Sequence, residues 1–296
     1  MNAYAMPAVL VALAAGCGTA VNYPAEGGPR YAGGPAGVPR QAAGGIPEQL
    51  RIVTFNTHFA RRVDRVAALL GATASLAGAD IIALQEVDAR ATRRIASALG
   101  MSYVYYPGAV HPVTGRDFGN AVLARWPIVD DRKVLLPHHG RLRDTQRTAT
   151  AATVAIGGDT VRFYSVHLSH MGELGPGARR EQARAVIADA APFRRVVVAG
   201  DLNGVRVAEE FVACRFFWPT RDSPPTLHVF TWDHVLLKGL EPGDEPSTGV
   251  VGDDPDASDH LPVWVVARWP APAGRPGDPP DGGPGGVDPP GACAAY

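Results

Sequence analysis

The 296-residue chain has no excess of either charge: 28 Lys and Arg against 29 Asp and Glu leave a formal charge of −1. A protein that holds nucleic acid without sequence preference shows a basic excess or a basic stripe, and neither is obvious here. Arginines do gather locally, at Arg141, Arg143 and Arg147 and at Arg179 and Arg180. Such clusters read first as solvated faces. Cysteines number only three, Cys17, Cys214 and Cys293, and none has zinc-ligand spacing. The apolar run near the start falls short of the roughly 20 residues that a bilayer span needs. A Gly-x-Ser-x-Gly elbow, a P-loop and a dinucleotide glycine motif are also missing, so nucleophilic-serine, NTPase and Rossmann chemistry lack support.

What is present divides the chain into four parts. Residues 1–17 carry the run Val9-Leu10-Val11-Ala12-Leu13 and end in Ala14-Ala15-Gly16-Cys17. This reads as a secretory signal, and its ending resembles the lipobox of bacterial lipoproteins, whose Cys is lipidated. Ala14 stands where a branched residue is usual, and a plain signal peptide cleaved nearby is the alternative. The resemblance implies the periplasmic side of the bacterial envelope, as an outer-membrane lipoprotein touching the membrane through its lipid alone, or otherwise secretion. Residues 18–47 and 270–296 are dense in Gly and Pro and read as a disordered tether and a disordered tail. Residues 48–269 remain as one catalytic domain of ordinary size. Cys214, in the apolar stretch Phe211-Val212-Ala213-Cys214, reads as a buried inert thiol, with a Cys214–Cys293 disulfide as the alternative.

Within the domain, β-rich runs recur at residues 51–56, 80–84, 119–124, 148–156, 161–168, 195–199, 234–237 and 263–268. Several are continuous apolar runs, as in Arg195-Val196-Val197-Val198-Ala199, which suggests strands covered on both faces. Helical spacing appears over residues 61–76 and 178–190. Helices covering sheets that contain hairpins predict a layered α/β (α+β) domain.

Polar motifs end these apolar runs: Phe55-Asn56, Leu84-Gln85-Glu86, Gly119-Asn120-Ala121, His167-Leu168, Gly200-Asp201-Leu202-Asn203, Trp232-Asp233-His234 and Ser258-Asp259-His260. Buried carboxylates, amides and imidazoles must satisfy one another, a metal or a ligand. Glu86, Asn56 and Asp259 form the hard-oxygen ligand set expected for Mg²⁺. Asp201 and Asn203 alternate around Leu202 and so face one side. Asp233 is available to orient one imidazole, and His167 and His260 can supply a base, an acid or charge stabilisation.

In this order the motifs resemble the endonuclease/exonuclease/phosphatase superfamily, the DNase I-like fold, over nearly all of residues 50–268. The resemblance implies a four-layer α/β sandwich, two mixed β-sheets packed face to face with helices outside. It implies Glu86 as the principal Mg²⁺ ligand (Mn²⁺ as a substitute), helped by Asn56, with Asp259 completing the metal site or a water network. Asp201 would orient or deprotonate water, Asn203 would touch the scissile phosphate, and His167 and His260 would bracket it, Asp233 orienting His260. Asn120, Arg147 and Asp117 fall on the substrate side. Asp117 stands where the abasic-site nucleases carry a tyrosine, which argues against DNA repair, and it could pair with His167. The expectation is a monomeric Mg²⁺-dependent phosphohydrolase of the phosphodiesterase kind, acting on phospholipid headgroups, nucleic acid or small phosphoesters. An envelope nuclease for DNA or RNA, and a non-catalytic binding module, are the alternatives.

Overall fold

Side chains alternate between two faces along a strand, and in this molecule both faces of the central strands are covered. The computed structural model describes residues 18–35, 45–270 and 293. In chain order its elements begin with β1 (Val21–Asn22), β2 (Tyr31–Gly33), β3 (Gln49–Asn56), α1 (Val63–Ala72), β4 (Ile81–Val87) and α2 (Ala89–Leu99). There follow β5 (Ser102–Val110), β6 (Asp117–Ala124), β7 (Ile128–His139), β8 (Gln146–Ile156), β9 (Asp159–His167) and α3 (Pro176–Ala190). The remainder are β10 (Val196–Asp201), α4 (Val205–Ala213), β11 (Asp233–Lys238), β12 (Glu241–Pro242), β13 (Thr248–Val250) and β14 (Val263–Arg268).

One sheet has nine strands, ordered β1-β5-β6-β4-β3-β14-β12, with β13 on β14 and β2 on β5; the other has five, ordered β11-β10-β9-β8-β7. Both are mixed, since β3 pairs β4 and β9 pairs β10 in parallel while the other pairs are antiparallel. The inner faces meet in one apolar layer, with Leu50, Ile52, Ile81 and Val122 of the first sheet against Val154, Phe163, Val197 and Leu237 of the second. The outer face of the first sheet packs Val53, Phe55 and Leu84 under Val66 and Leu70 of α1 and Ile95 of α2. The outer face of the second packs Val198 and Leu236 under Val186 of α3 and Phe211 of α4. The expected four-layer sandwich is therefore the observed one.

Two helices, α2 and α4, went unread in the sequence, as did the strands β5 and β7 and the short β1, β2, β12 and β13. In α2 only Ile95 is a large buried side chain beside Ala91, Thr92 and Ala96, so its apolar stripe is faint. Its ends are well marked: Asp88 Oδ1 accepts from Ala91 N at 2.7 Å and Gly100 closes the helix at φ 65°. Similarly α4 buries only Val207, Ala208 and Phe211, too short a stripe to stand out.

Three expectations are corrected. Residues 18–35 are not a tether: β1 and β2 pair with β5, and Lys133 Nζ donates to Tyr23 O at 2.8 Å and Gly28 O at 2.7 Å. Composition missed this because backbone pairing and polar side-chain bonds, among them Arg30 to Asp131 and Asn22 Nδ2 to Asp144 O, hold the segment rather than large apolar side chains. Cys214 is not a free thiol but bonds to Cys293, with Cα atoms 5.7 Å apart. The rest of the expected tail, and Cys17, lie outside the described residues. Finally, Arg179 is not on a solvated face; it is buried, and its Nη2 donates to Leu202 O at 3.3 Å and to Asn203 O.

Candidate active site

The inner apolar rows change character at one end of the sandwich. Following Val161, Phe163 and Ser165 on the inner face of β9 comes His167; following Val197 and Ala199 on β10 comes Asp201; before Val235 on β11 comes Asp233. Register sets these side by side, Asp201 opposite His167 and Asp233. Across the layer, Asn56 lies opposite Gln85 and Gln85 opposite Asn120. The two polar rows touch where Asn56 Nδ2 donates to Asp201 Oδ2 at 3.1 Å and Gln85 Nε2 donates to Ser165 Oγ at 3.0 Å.

Strict alternation would send Glu86 to the helix-covered outer face with Leu84. A bulge between Gln85 and Val87 prevents this, and Glu86 sits at φ 56°, a conformation a non-glycine residue holds only at a cost. The bulge re-aims the carboxylate inward. Glu86 Oε1 accepts from Asn56 Nδ2 at 3.3 Å, and Oε2 accepts from Phe59 N at 3.1 Å. The end of β10 is equally constrained: Gly200 has φ 154°, and a Cβ there would lie 1.9 Å from Val166 O.

Together these groups open into a cleft of about 380 Å³ lined by Glu86, Arg147, His167, Asp201, Asn203 and His260, with Phe59, His111, Phe118 and Trp232 as its aromatic walls. His167 Nε2 lies 3.4 Å from Asp201 Oδ2 and its Nδ1 4.0 Å from Glu86 Oε1 and 3.2 Å from Arg147 Nη1. Arg147 is buried and anchored by Glu173 at 3.4 Å. His260 Nδ1 lies 2.7 Å from Asp233 Oδ2 and its Nε2 3.8 Å from Asp201 Oδ2.

Burial and this wiring set the charges. Burial, with Arg147 and His260 nearby, holds His167 well below the ordinary imidazole range, so its ring is neutral. Burial alone would lower His260 as well, but Asp233, then Asp201 and Asp259, push it up to about 10. Asp201 is pushed up to about 7 by burial and by Asp233. Burial raises Glu86 above the carboxylate norm. Asp201, Asp233 and His260 place one ligand atom each within 4.8 Å of one another, so this group could hold a metal ion.

Of the expected residues, Asn56 and Asp233 stand behind the cleft and contact its lining. Asn120 donates from Nδ2 to Thr148 O at 2.6 Å, and its Oδ1 is buried without a protein partner. Asp259 is not among the residues lining the cleft: its side chain is 40% exposed and lies 3.4 Å from His58, close enough for its charge to act on Glu86 and His260. Asp117 does not meet His167; it accepts from Tyr23 Oη at 2.9 Å. That bond was invisible in the sequence because Tyr23 belongs to the segment read as a tether. Sequence reasoning missed the aromatic walls and Glu173; Phe118 sits at the start of β6, and the others lie in loops with no periodicity to mark them.

The endonuclease/exonuclease/phosphatase family model matches residues 53–260. Among solved structures, an endonuclease/exonuclease/phosphatase from Beutenbergia cavernae DSM 12333 superposes with TM-score 0.63 at 23% identity, over 75% of this chain and 72% of that one. The Bacteroides thetaiotaomicron VPI-5482 mannosyl-6-phosphatase gives TM-score 0.57 at 18% identity, over 74% of this chain and 100% of its own. D. rerio TDP2 complexed with single strand DNA product gives TM-score 0.58 at 14% identity, over 75% and 100%. A search of curated proteins finds no match. These structures share the fold, and the family pattern spans the strands that carry the cleft. The chain belongs to the endonuclease/exonuclease/phosphatase family, a family of phosphoester hydrolases.

Proposed function

We propose that this protein is a Mg²⁺-dependent phosphodiesterase, held on the periplasmic side of the bacterial envelope by lipid at Cys17. One observation carries the hydrolytic reading. The Asn56 amide contacts two carboxylates, the partly buried Glu86 at 3.3 Å and the buried Asp201 at 3.1 Å, and the neutral His167 ring lies beside both. Acids brought together out of water repel unless a cation joins them. Asp233 Oδ1 is also buried without a protein hydrogen bond. This oxygen-rich donor set fits Mg²⁺, with Mn²⁺ as a substitute. Glu86 and Asn56 would hold the ion, and Asp259 would act only from a distance. When bound, the ion would neutralise charge on the phosphate oxygens.

The chain's own groups complete the reaction. Asp201, poised near 7, takes a proton from the attacking water. Asn203 lines the cleft; its Nδ2 already donates to Leu168 O at 2.9 Å, which leaves one N–H for a phosphate oxygen. His260, held as a cation by Asp233, stabilises the phosphate and protonates the leaving oxygen. The water oxygen bonds to phosphorus as the bond to the alcohol breaks. The proton on Asp201 then restores His260, so one water is consumed per ester.

Glu86→Ala and His260→Ala should each lower turnover of a soluble phosphodiester by about a thousandfold or more, with circular dichroism unchanged. Full activity in both variants, or in EDTA, overturns the reading. A nuclease reading draws on an arginine-lined cleft of about 700 Å³ holding Arg61, Arg62, Arg90 and Arg116. A screen of nucleic-acid, lipid and small-ester substrates separates the two.

A further inference from the structure

Four large apolar side chains stand out into solvent around the cleft: Val21 (64% exposed), Val113 (66%), Leu142 (69%) and Met171 (66%). Scattered singly, such residues are ordinary on any surface. Here they share one rim. Leu142 itself lines the cleft, Val113 follows the lining residue His111 by two positions, and Met171 adjoins the lining residue His170. Their loops are tied together: Arg143 Nη1 lies 3.4 Å from His111 Nε2, and Arg141 N donates to Glu173 O at 3.2 Å. Val21 joins the rim through Ala20 N, which donates to Arg143 O at 2.7 Å. Exposed Arg141 stands beside Leu142 on the same rim, with Arg143 next to it, while Arg116 is paired with Asp88. The acidic loop with Asp254 and Asp256 is taken up by Arg65 on α1 and is no part of this set.

Apolar tips interleaved with arginines match a membrane surface, where the tips enter the acyl boundary and guanidinium groups meet anionic headgroups. Where the chain leads is a second, independent observation. Gly18 lies on the same rim, since a Cβ there would sit 3.3 Å from Pro112 Cβ. Cys17 is the next residue along the sequence. A lipid on Cys17 would therefore bring the mouth of the cleft to the bilayer.

We propose that this rim is a membrane-docking face and that the cleft acts on the headgroup phosphoester of an anionic membrane lipid. The docking half stands alone; the substrate half rests on the hydrolase reading above. The test uses the full chain carrying Cys17→Ser, so that no lipid contributes, sedimented with vesicles of phosphatidylglycerol and phosphatidylcholine. It should bind, and added salt should weaken binding. Val113→Asp/Met171→Asp should lower partitioning by about tenfold or more, while turnover of a soluble phosphodiester stays within about twofold. No vesicle binding, or equal binding of both proteins, overturns the docking face. Retention of single-stranded DNA without vesicle binding does the same. If the soluble ester is cut and the vesicle lipid is not, the substrate class falls while the hydrolase reading survives. If neither is cut but vesicles are still bound, the hydrolase reading falls and the docking face survives.

Discussion

The layer between the two sheets has two ends built on one alternation. At one end the inner face buries Leu50, Val161, Val197 and Leu237. At the other the same rows place Asn56, His167, Asp201 and Asp233, all at most 4% exposed. The apolar end holds groups that water rejects, and each adds to stability. The polar end strips water from charged groups, holds Glu86 at φ 56° and Asn203 at φ 52°, and leaves Asn120 Oδ1 and Asp233 Oδ1 without protein partners. Each of these features costs free energy. One strand pattern thus serves stability at one end and chemistry at the other.

The largest expected stability effect lies at the apolar end. Leu237→Ala removes a fully buried side chain and should cost about 2–5 kcal/mol in urea unfolding. Activity per folded molecule should hardly move. Glu86→Ala and His260→Ala should show the reverse, losing turnover with little loss of stability. If Leu237→Ala lowered kcat as steeply as it lowered stability, the two ends would not be separable.

A smaller effect tests the wiring of the polar end. Asp233 is the partner that pushes His260 up to about 10. A group raised on folding stabilises fully below its unfolded value, near 6.5, and that contribution is lost as pH rises through about 10. Asp233→Asn should therefore flatten the pH dependence of stability between those values. It should also move the alkaline limb of the kcat profile toward neutral pH and lower kcat by about ten- to a hundredfold. An alkaline limb in the same place would mean that Asp233 does not set His260.

The same contrast explains what the sequence revealed. The continuous valine and alanine runs marked the central strands, and the polar residues ending them marked the cleft, because both follow period two. Asp233 and His234 show how far that reaches. They are adjacent in the chain, yet alternation turns Asp233 to the cleft while His234 packs edge-on to Trp218, ring centroids 5.0 Å apart. Glu86 reaches the cleft only by breaking the period, so its position needed the bulge. The rim loops and the Tyr23–Asp117 bond join residues far apart in the chain with no repeat between them, and only the folded molecule shows them; the Cys214–Cys293 bridge stood in the sequence only as the alternative to a buried thiol.

The smallest effect falls where the two ends meet. Thr54 follows Ile52 on the inner face of β3 and precedes Asn56. Its hydroxyl donates to Gln85 Oε1 at 3.3 Å, Gln85 Nε2 donates to Ser165 Oγ at 3.0 Å, and Ser165 Oγ donates to Leu84 O at 3.0 Å. This chain of bonds crosses the layer below the cleft and touches no cleft-lining side chain, so it should behave as structure. Thr54→Val keeps the shape, removes one long hydrogen bond and should cost about 1 kcal/mol with kcat unchanged. Gln85→Met should cost more, because it leaves Ser165 without its donor. In the double variant the losses should fall short of their sum by about 0.5–1 kcal/mol, since the shared bond can be lost only once. Strict additivity would show that the two groups do not act together, and a fall in kcat for Thr54→Val would move the boundary of the chemical end one residue pair deeper into the sandwich.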